Sequence, residues 1–471
     1  MQRLNRGMMS RYEIPDRIPG AVSAIQFGMD ATLLGLVDRL IDDAGLGVGI
    51  ACVQAEEEGY AALMREQDGL FTVVVRGYIN DKHVYEEKVV QSAMRAIDPA
   101  SDFDSLTALS RNEALALGIL NLESPRPEIA LGLAARFLAT RYQAGLGGLE
   151  FICAGESADC GAQVRAMIER IAAPWHMEPG FDVWLREKNA FYPALADGLV
   201  FRCEAAEAAK LCGDMNYADG LIHIAEPYAA LVIQAPSGFR ERWKLDAAPG
   251  VRFTDDLAPE LLKKHRVFDA GLFAMAAPGY LLGCDTLSDC MRHGRLRAHI
   301  GGAFFEEIIP GAPFAREEIA PYVIAVCERF ENPLNRNPIL RASHHLFRRF
   351  VRGVLPLMRE WARENFEVPR RMGFSLAAAI MLYAGVRPNP AGIYEVARGA
   401  QTHLLEDDPE ILQAFARLSH DMPSESLAYA VLADRDLWNG LDLRQIDGME
   451  SRVTFDIAAI QRNPAFLPEG D

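Results

Sequence analysis

The sequence contains no CxxC pair, and its eight cysteines (Cys52, Cys153, Cys160, Cys203, Cys212, Cys284, Cys290 and Cys327) fall at spacings that match no zinc pattern. Reduced, mostly buried thiols are expected. Positive charge is also short: 48 Lys and Arg stand against 65 Asp and Glu, a formal net charge of −17. Polynucleotide binding needs clustered cations that release counterions. The one basic cluster, in residues 336–352, reads as a solvated helix face or a pocket for a small anion. No apolar run is long enough to cross a membrane, and residues 1–17 carry Arg3, Arg6 and Arg11 without the apolar stretch of a secretory signal. A cytoplasmic protein is expected. Internal repeats and low-complexity tracts are missing too.

What is present is the composition of a globular protein, 50% hydrophobic and 24% charged over 471 residues, a length that calls for two or three domains. AVSAIQFG, from Ala21, reads as a buried strand stopping at Gly28. Leu33, Leu36, Val37, Leu40 and Ile41 then recur at helical spacing up to Gly45. VGIACVQAE, from Val48, completes a βαβ unit. FTVVVRG from Phe71, ALALGILNLE ending at Glu123 and LEFICAG from Leu149 are further strand candidates, with helical stretches such as EIALGLAARFLATRYQAG between them. The N-terminal half therefore reads as a doubly wound α/β domain. Residues 228–253 are strand-like and turn-rich. Beyond them, amphipathic patterns over 259–277, 316–329, 337–365 and 374–384 predict a mainly helical C-terminal half. The boundaries expected are 1–250 and 251–471.

A dinucleotide-binding βα turn needs G-x-G-x-x-G: the first Gly for the tight turn, the second for close approach of the pyrophosphate, and the helix N-terminus for its amides and dipole. Here the turn reads Gly28-Met29-Asp30-Ala31-Thr32-Leu33, and only the first Gly is kept. Asp30 stands at the second Gly position, where its carboxylate crowds and repels a pyrophosphate. The alternative role for Asp30 is a helix cap that accepts the same amide hydrogens. At the end of the second strand, Gln54 and Glu56 are available for an adenosine ribose, although a solvated loop Glu fits the pattern equally.

Several segments, in order along nearly the whole chain, resemble the polyol and uronate dehydrogenases of the mannitol dehydrogenase family, tagaturonate reductases in particular. They are IQFG at Ile25 with the following LLGLVD, QDGLFTVVVRG from Gln67, AEPYAALVIQAP from Ala225, FTDDLAP from Phe253, EEIIP from Glu306, ERFENP from Glu328 and VLP at Val354. The resemblance implies a Rossmann-like N-terminal domain, a helical C-terminal domain, and reduction of a keto sugar acid or polyol with NAD or NADP, without metal. It implies cofactor contacts at Gln26, Gly28, Asp30, Glu56 and Asn121, and a small sugar acid or polyol as partner. The family's central motif is a Lys acid/base, an Asn five residues on and a His three further, the last two polarising the carbonyl. These positions are Lys264, Asp269 and Leu272 here, so the Lys alone is kept. An ionised Asp is acceptor-only and cannot donate to an oxyanion as an Asn amide does. A protonated Asp269 is the way that role survives. A second motif that orients substrate maps to Asn337, His345 and Arg349, where the family has His, Asn and Lys. Arg349 suits bidentate carboxylate binding, and a plain cationic helix face is the alternative.

Two functions follow. One is an NAD(P)-dependent oxidoreductase using Lys264 and Asp269, with Asn337, His345 and Arg349 on the substrate. The other is a catalytically silent or repurposed homologue, with a degenerate cofactor turn, acting in ligand or partner binding. A third, a small anion held by Arg348, Arg349 and Arg352, has only those arginines behind it.

Overall fold

The strand Val22–Phe27 alternates its side chains between two cores: Ala24 enters one, Ile25 and Phe27 the other. Apolar side chains on both faces are what a parallel strand covered by helices on both sides requires. The computed structural model describes residues 1–471 except 13, 16, 18, 56–58, 81, 178–179, 335–337, 343, 400 and 469–471. The chain divides into two compact units, Met1–Leu261 and Leu262–Asp471.

Among the described residues, the first unit carries an eight-stranded sheet in the order Val251–Thr254, Ala230–Gln234, Ala190–Asp197, Glu150–Ala154, Leu117–Asn121, Val22–Phe27, Gly49–Val53, Ala93–Ile97. Every pairing in it is parallel except that of Ala230–Gln234 with Ala190–Asp197. This is the doubly wound, Rossmann-like arrangement expected. Pro127–Gln143 and Cys160–Ala172 pack on one face through Leu131, Phe137, Leu138, Val164 and Ile168. Residues 33–41 pack on the other.

One expectation is corrected. The apolar run from Phe71 does not join this sheet. Phe71–Ile79 belongs to a separate four-stranded sheet, paired with Lys82–Val90 and His223–Ala225, the last of which also pairs with Val200–Arg202. Phe71, Val73 and Val75 face the main core while Val74 faces a third cluster around Leu4, Met8 and Ile224, so this strand too is covered on both faces. Its apolar run gave no sign of which sheet it would enter.

The second unit is mainly helical. Ala270–Leu281 is buried almost throughout and packs on Arg370–Ala384, which packs in turn on Met449–Arg462. Residues 337–365 do not form the single amphipathic helix their pattern suggests. They break into Ile339–Ala342, Leu346–Arg349, a π-helical turn Phe350–Val354, and Leu355–Asn365. A small antiparallel sheet of Arg387–Pro388, Tyr394–Arg398 and Gln401–Leu404 was not legible in the sequence. Among the described residues, no helix is long and apolar enough to cross a membrane.

Candidate functional site

Strand order reverses at Val22–Phe27, which lies between Gly49–Val53 and Leu117–Asn121. The carboxyl ends of strands at such a switch point are where open α/β sheets bind ligands. Two of the expected cofactor residues emerge there side by side, because Phe27 pairs with Leu120 and thereby sets Gly28 beside Asn121. Gly28 adopts φ 113°, a conformation that only glycine reaches without strain, and donates its N–H to Val53 O at 2.8 Å.

The turn that follows is closed by its own side chain. Asp30 Oδ1 accepts the backbone N–H of Thr32 at 2.9 Å and of Leu33 at 3.1 Å, and the Asp30 carbonyl accepts Leu34 N–H at 3.0 Å. Asn121 Nδ2 donates to both Asp30 oxygens, at 3.2 and 3.3 Å. Asp30 thus caps the helix, and the amides at the helix start are directed at a carboxylate of the chain itself. Gln26 is turned into the core: it is fully buried, and its Nε2 donates to Gly28 O and to Asp38 Oδ2. Burial pushes the Asp38 carboxyl well above its ordinary range, with the Gln26 hydrogen bond opposing. Gln54 likewise serves a neighbour, accepting Ala61 N–H at 2.8 Å. Glu56 lies outside the described residues.

In the second unit, Lys264–Asp269 is a π-helical turn between Ala258–Lys263 and Ala270–Leu281. Its wider turn brings side chains five residues apart nearer one face than an α-helix does. Lys264 Nζ lies 3.0 Å from Asp269 Oδ1 and 3.3 Å from Oδ2, with both residues buried. The facing turn Phe350–Val354 approaches closely because residue 353 is glycine: a Cβ there would sit 2.2 Å from His265 O. That approach brings Arg349 Nη1 to 2.7 Å from Asp269 Oδ1, while Arg349 Nε donates to His344 O. The carboxylate that Arg349 grips is therefore Asp269. Among the described residues, Asp269 accepts from two cations, Lys264 and Arg349. Leu272 is buried. Asn337 lies outside the described residues.

Among the described residues, the ionic partners of His345 are Asp407 and Asp408 rather than Lys264 or Asp269. His345 takes a left-handed backbone conformation (φ 57°) before Leu346–Arg349. Burial works against its charge, but the two carboxylates outweigh it and raise its pKa. Neighbouring His344 is pushed down to about 4 by burial and by His345. Sequence reasoning missed Asp407, Asp408 and Tyr383. The sequence trace of the two aspartates is EDDP at Glu406, which reads equally as a helix start.

Residues 256–461 match the family model described as the mannitol dehydrogenase C-terminal domain. The altronate oxidoreductase of Escherichia coli (strain K12) is 28% identical, the similarity covering 98% of this chain and 97% of that protein. Among solved structures, Pseudomonas fluorescens mannitol 2-dehydrogenase, in a ternary complex with NAD and D-mannitol, superposes with a TM-score of 0.78 at 16% identity, over 98% of each chain. A substrate-free D-sorbitol dehydrogenase gives a TM-score of 0.72 at 16% identity, over 98% of this chain and 99% of that one. These structural likenesses establish the fold. The chain is thus a Rossmann-like unit followed by a unit that matches the mannitol dehydrogenase C-terminal domain, and it is similar along nearly its whole length to altronate oxidoreductase.

Proposed function

We propose that this protein is a repurposed relative of the sugar-acid and polyol oxidoreductases, keeping their fold and a polyhydroxylated ligand class while having given up nicotinamide-dependent hydride transfer. Asp30 is the observation that carries this reading. Its carboxylate accepts the helix-start amides that a pyrophosphate requires, and Asn121 holds it there. Two like charges 4 Å apart near a protein surface repel by about 4 kcal/mol. Displacing Asp30 from the helix start forfeits a further ~1 kcal/mol of capping. The turn therefore does not fit a dinucleotide, and the misfit applies to NAD and NADP alike because both carry the pyrophosphate.

Asp269 supports the same conclusion from the other unit. An acceptor held between Lys264 and Arg349 leaves the position of the family's Asn without a donor. Loss of one such donor typically costs about two to three powers of ten in rate. The ligand class is inferred from the relatives' names, altronate oxidoreductase and mannitol 2-dehydrogenase.

A second reading, an NAD(P)-dependent reductase with Lys264 as acid/base, is favoured by the retained, buried Lys264 and by the full-length similarity to altronate oxidoreductase. NADH oxidation by purified protein over a panel of keto acids, tagaturonate and fructuronate included, separates the two. The expected outcome is no turnover above the protein-free rate. Saturable turnover that is lost in Lys264→Met establishes the reductase and overturns the silent reading.

A further inference from the structure

We infer that His345, Asp407 and Asp408 form a binding site for one divalent transition-metal ion, independent of whether the dinucleotide turn functions. His345 Nδ1 is buried, 3.1 Å from Asp408 Oδ1 and 3.7 Å from Asp407 Oδ1. Nδ1 therefore faces one oxygen of each carboxylate, the three atoms converging on one point. Such spacings match the edges of a coordination polyhedron. Two ligand atoms each about 2.1 Å from a metal stand roughly 3.0 Å apart at a right angle and roughly 3.4 Å apart at the tetrahedral angle. The three ligand atoms all lie within 4.8 Å of one another.

The surroundings orient these ligands as outer-shell groups do. Asp407 has no exposed side-chain surface. Its Oδ2 accepts the Tyr383 hydroxyl at 2.5 Å and its Oδ1 accepts Asp408 N–H at 2.7 Å. Tyr383 is fixed in turn by edge contacts with the rings of Phe347 and Phe415. On the other side, Asp408 lines a groove of about 910 Å³ together with Arg348, Arg352, Glu410 and Arg417, so an ion held here has room for water or a ligand in its remaining positions.

One imidazole and two carboxylates suit Zn2+ or Mn2+. The cation now nearest is the Arg348 guanidinium, 2.8 Å from Asp408 Oδ1 with its side chain 46% exposed. A partly exposed pair of this kind contributes little, so a divalent ion displaces it readily. The competing occupant is a proton, which makes His345 an imidazolium between two carboxylates and leaves no vacancy for metal.

The test is calorimetric titration of the chelator-treated full chain with Zn2+ and with Mn2+, alongside the visible spectrum on adding Co2+. One ion per chain is expected, together with a rise in Tm at saturation. Affinity should fall at least about tenfold in Asp408→Asn and in His345→Gln, since losing even an outer-shell partner costs about that much, and stay unchanged in Lys264→Met. Circular dichroism checks that both site variants fold. Absence of heat and of any Tm shift with either ion overturns the assignment. So does binding that survives both site variants, because the ion then sits elsewhere.

Discussion

At the scale of single residues, two aspartates stand where the resemblance implies ligands. Asp30 accepts amides at the start of a helix, and Asp269 accepts the cations Lys264 and Arg349. Each should reveal its structural work on substitution. Asp30→Ala removes a cap and is expected to cost about 1–2 kcal/mol of stability, whereas Asp30→Asn keeps a side-chain oxygen for the amides and should stay within about 0.5 kcal/mol. Equilibrium urea unfolding measures both. Asp269→Asn restores the residue the resemblance implies but takes a counter-charge from the buried Lys264 and the partly buried Arg349. A loss of about 2–4 kcal/mol is expected, below the full buried-pair figure because the Arg349 side chain is 20% exposed. Equal stability of Asp269→Asn and wild type would contradict this ion triad. Both roles of Asp30 were readable at Gly28-Met29-Asp30, but a sequence cannot say which donor a carboxylate takes. Asn121 settles that only because the sheet sets it beside Gly28.

At the scale of elements, the start of Arg370–Ala384 is capped from a different helical segment. Glu307 accepts Arg371 N–H at 2.8 Å and Met372 N–H at 3.0 Å, and burial raises its carboxyl to about 7 despite those bonds. A carboxyl raised in the folded state stabilises fully below its unfolded pKa, near 4.5, and loses that contribution as pH climbs through about 7. Glu307→Gln removes this titration. The Tm of Glu307→Gln relative to wild type should therefore shift upward between pH 5 and 8, and a constant difference would exclude the linkage. This cap was not legible in the sequence, because Glu307 and Arg371 are 64 residues apart. The same limit explains residues 337–365: the apolar spacing is helical, but it is silent about the left-handed His345 and the π-turn that brings Arg349 to Asp269.

At the scale of the whole molecule, the parallel sheet and the helical second half were legible because their cues are local: apolar runs closed by glycine, then long amphipathic stretches. Assignment of Phe71–Ile79 to a second sheet was not, since its partner His223–Ala225 is remote in sequence and only three residues long. The resemblance was legible from segments spread along the chain, and at two positions where it implies ligand contacts a carboxylate of the chain, Asp30 or Asp269, accepts from the chain's own donors. Titration of the full-length protein with NADH, followed by calorimetry and nicotinamide fluorescence, tests this most directly. No saturable binding is expected up to roughly 1 mM, equivalent to less than about 4 kcal/mol of affinity. A micromolar Kd for the wild-type chain, abolished by Gly28→Val, would contradict it.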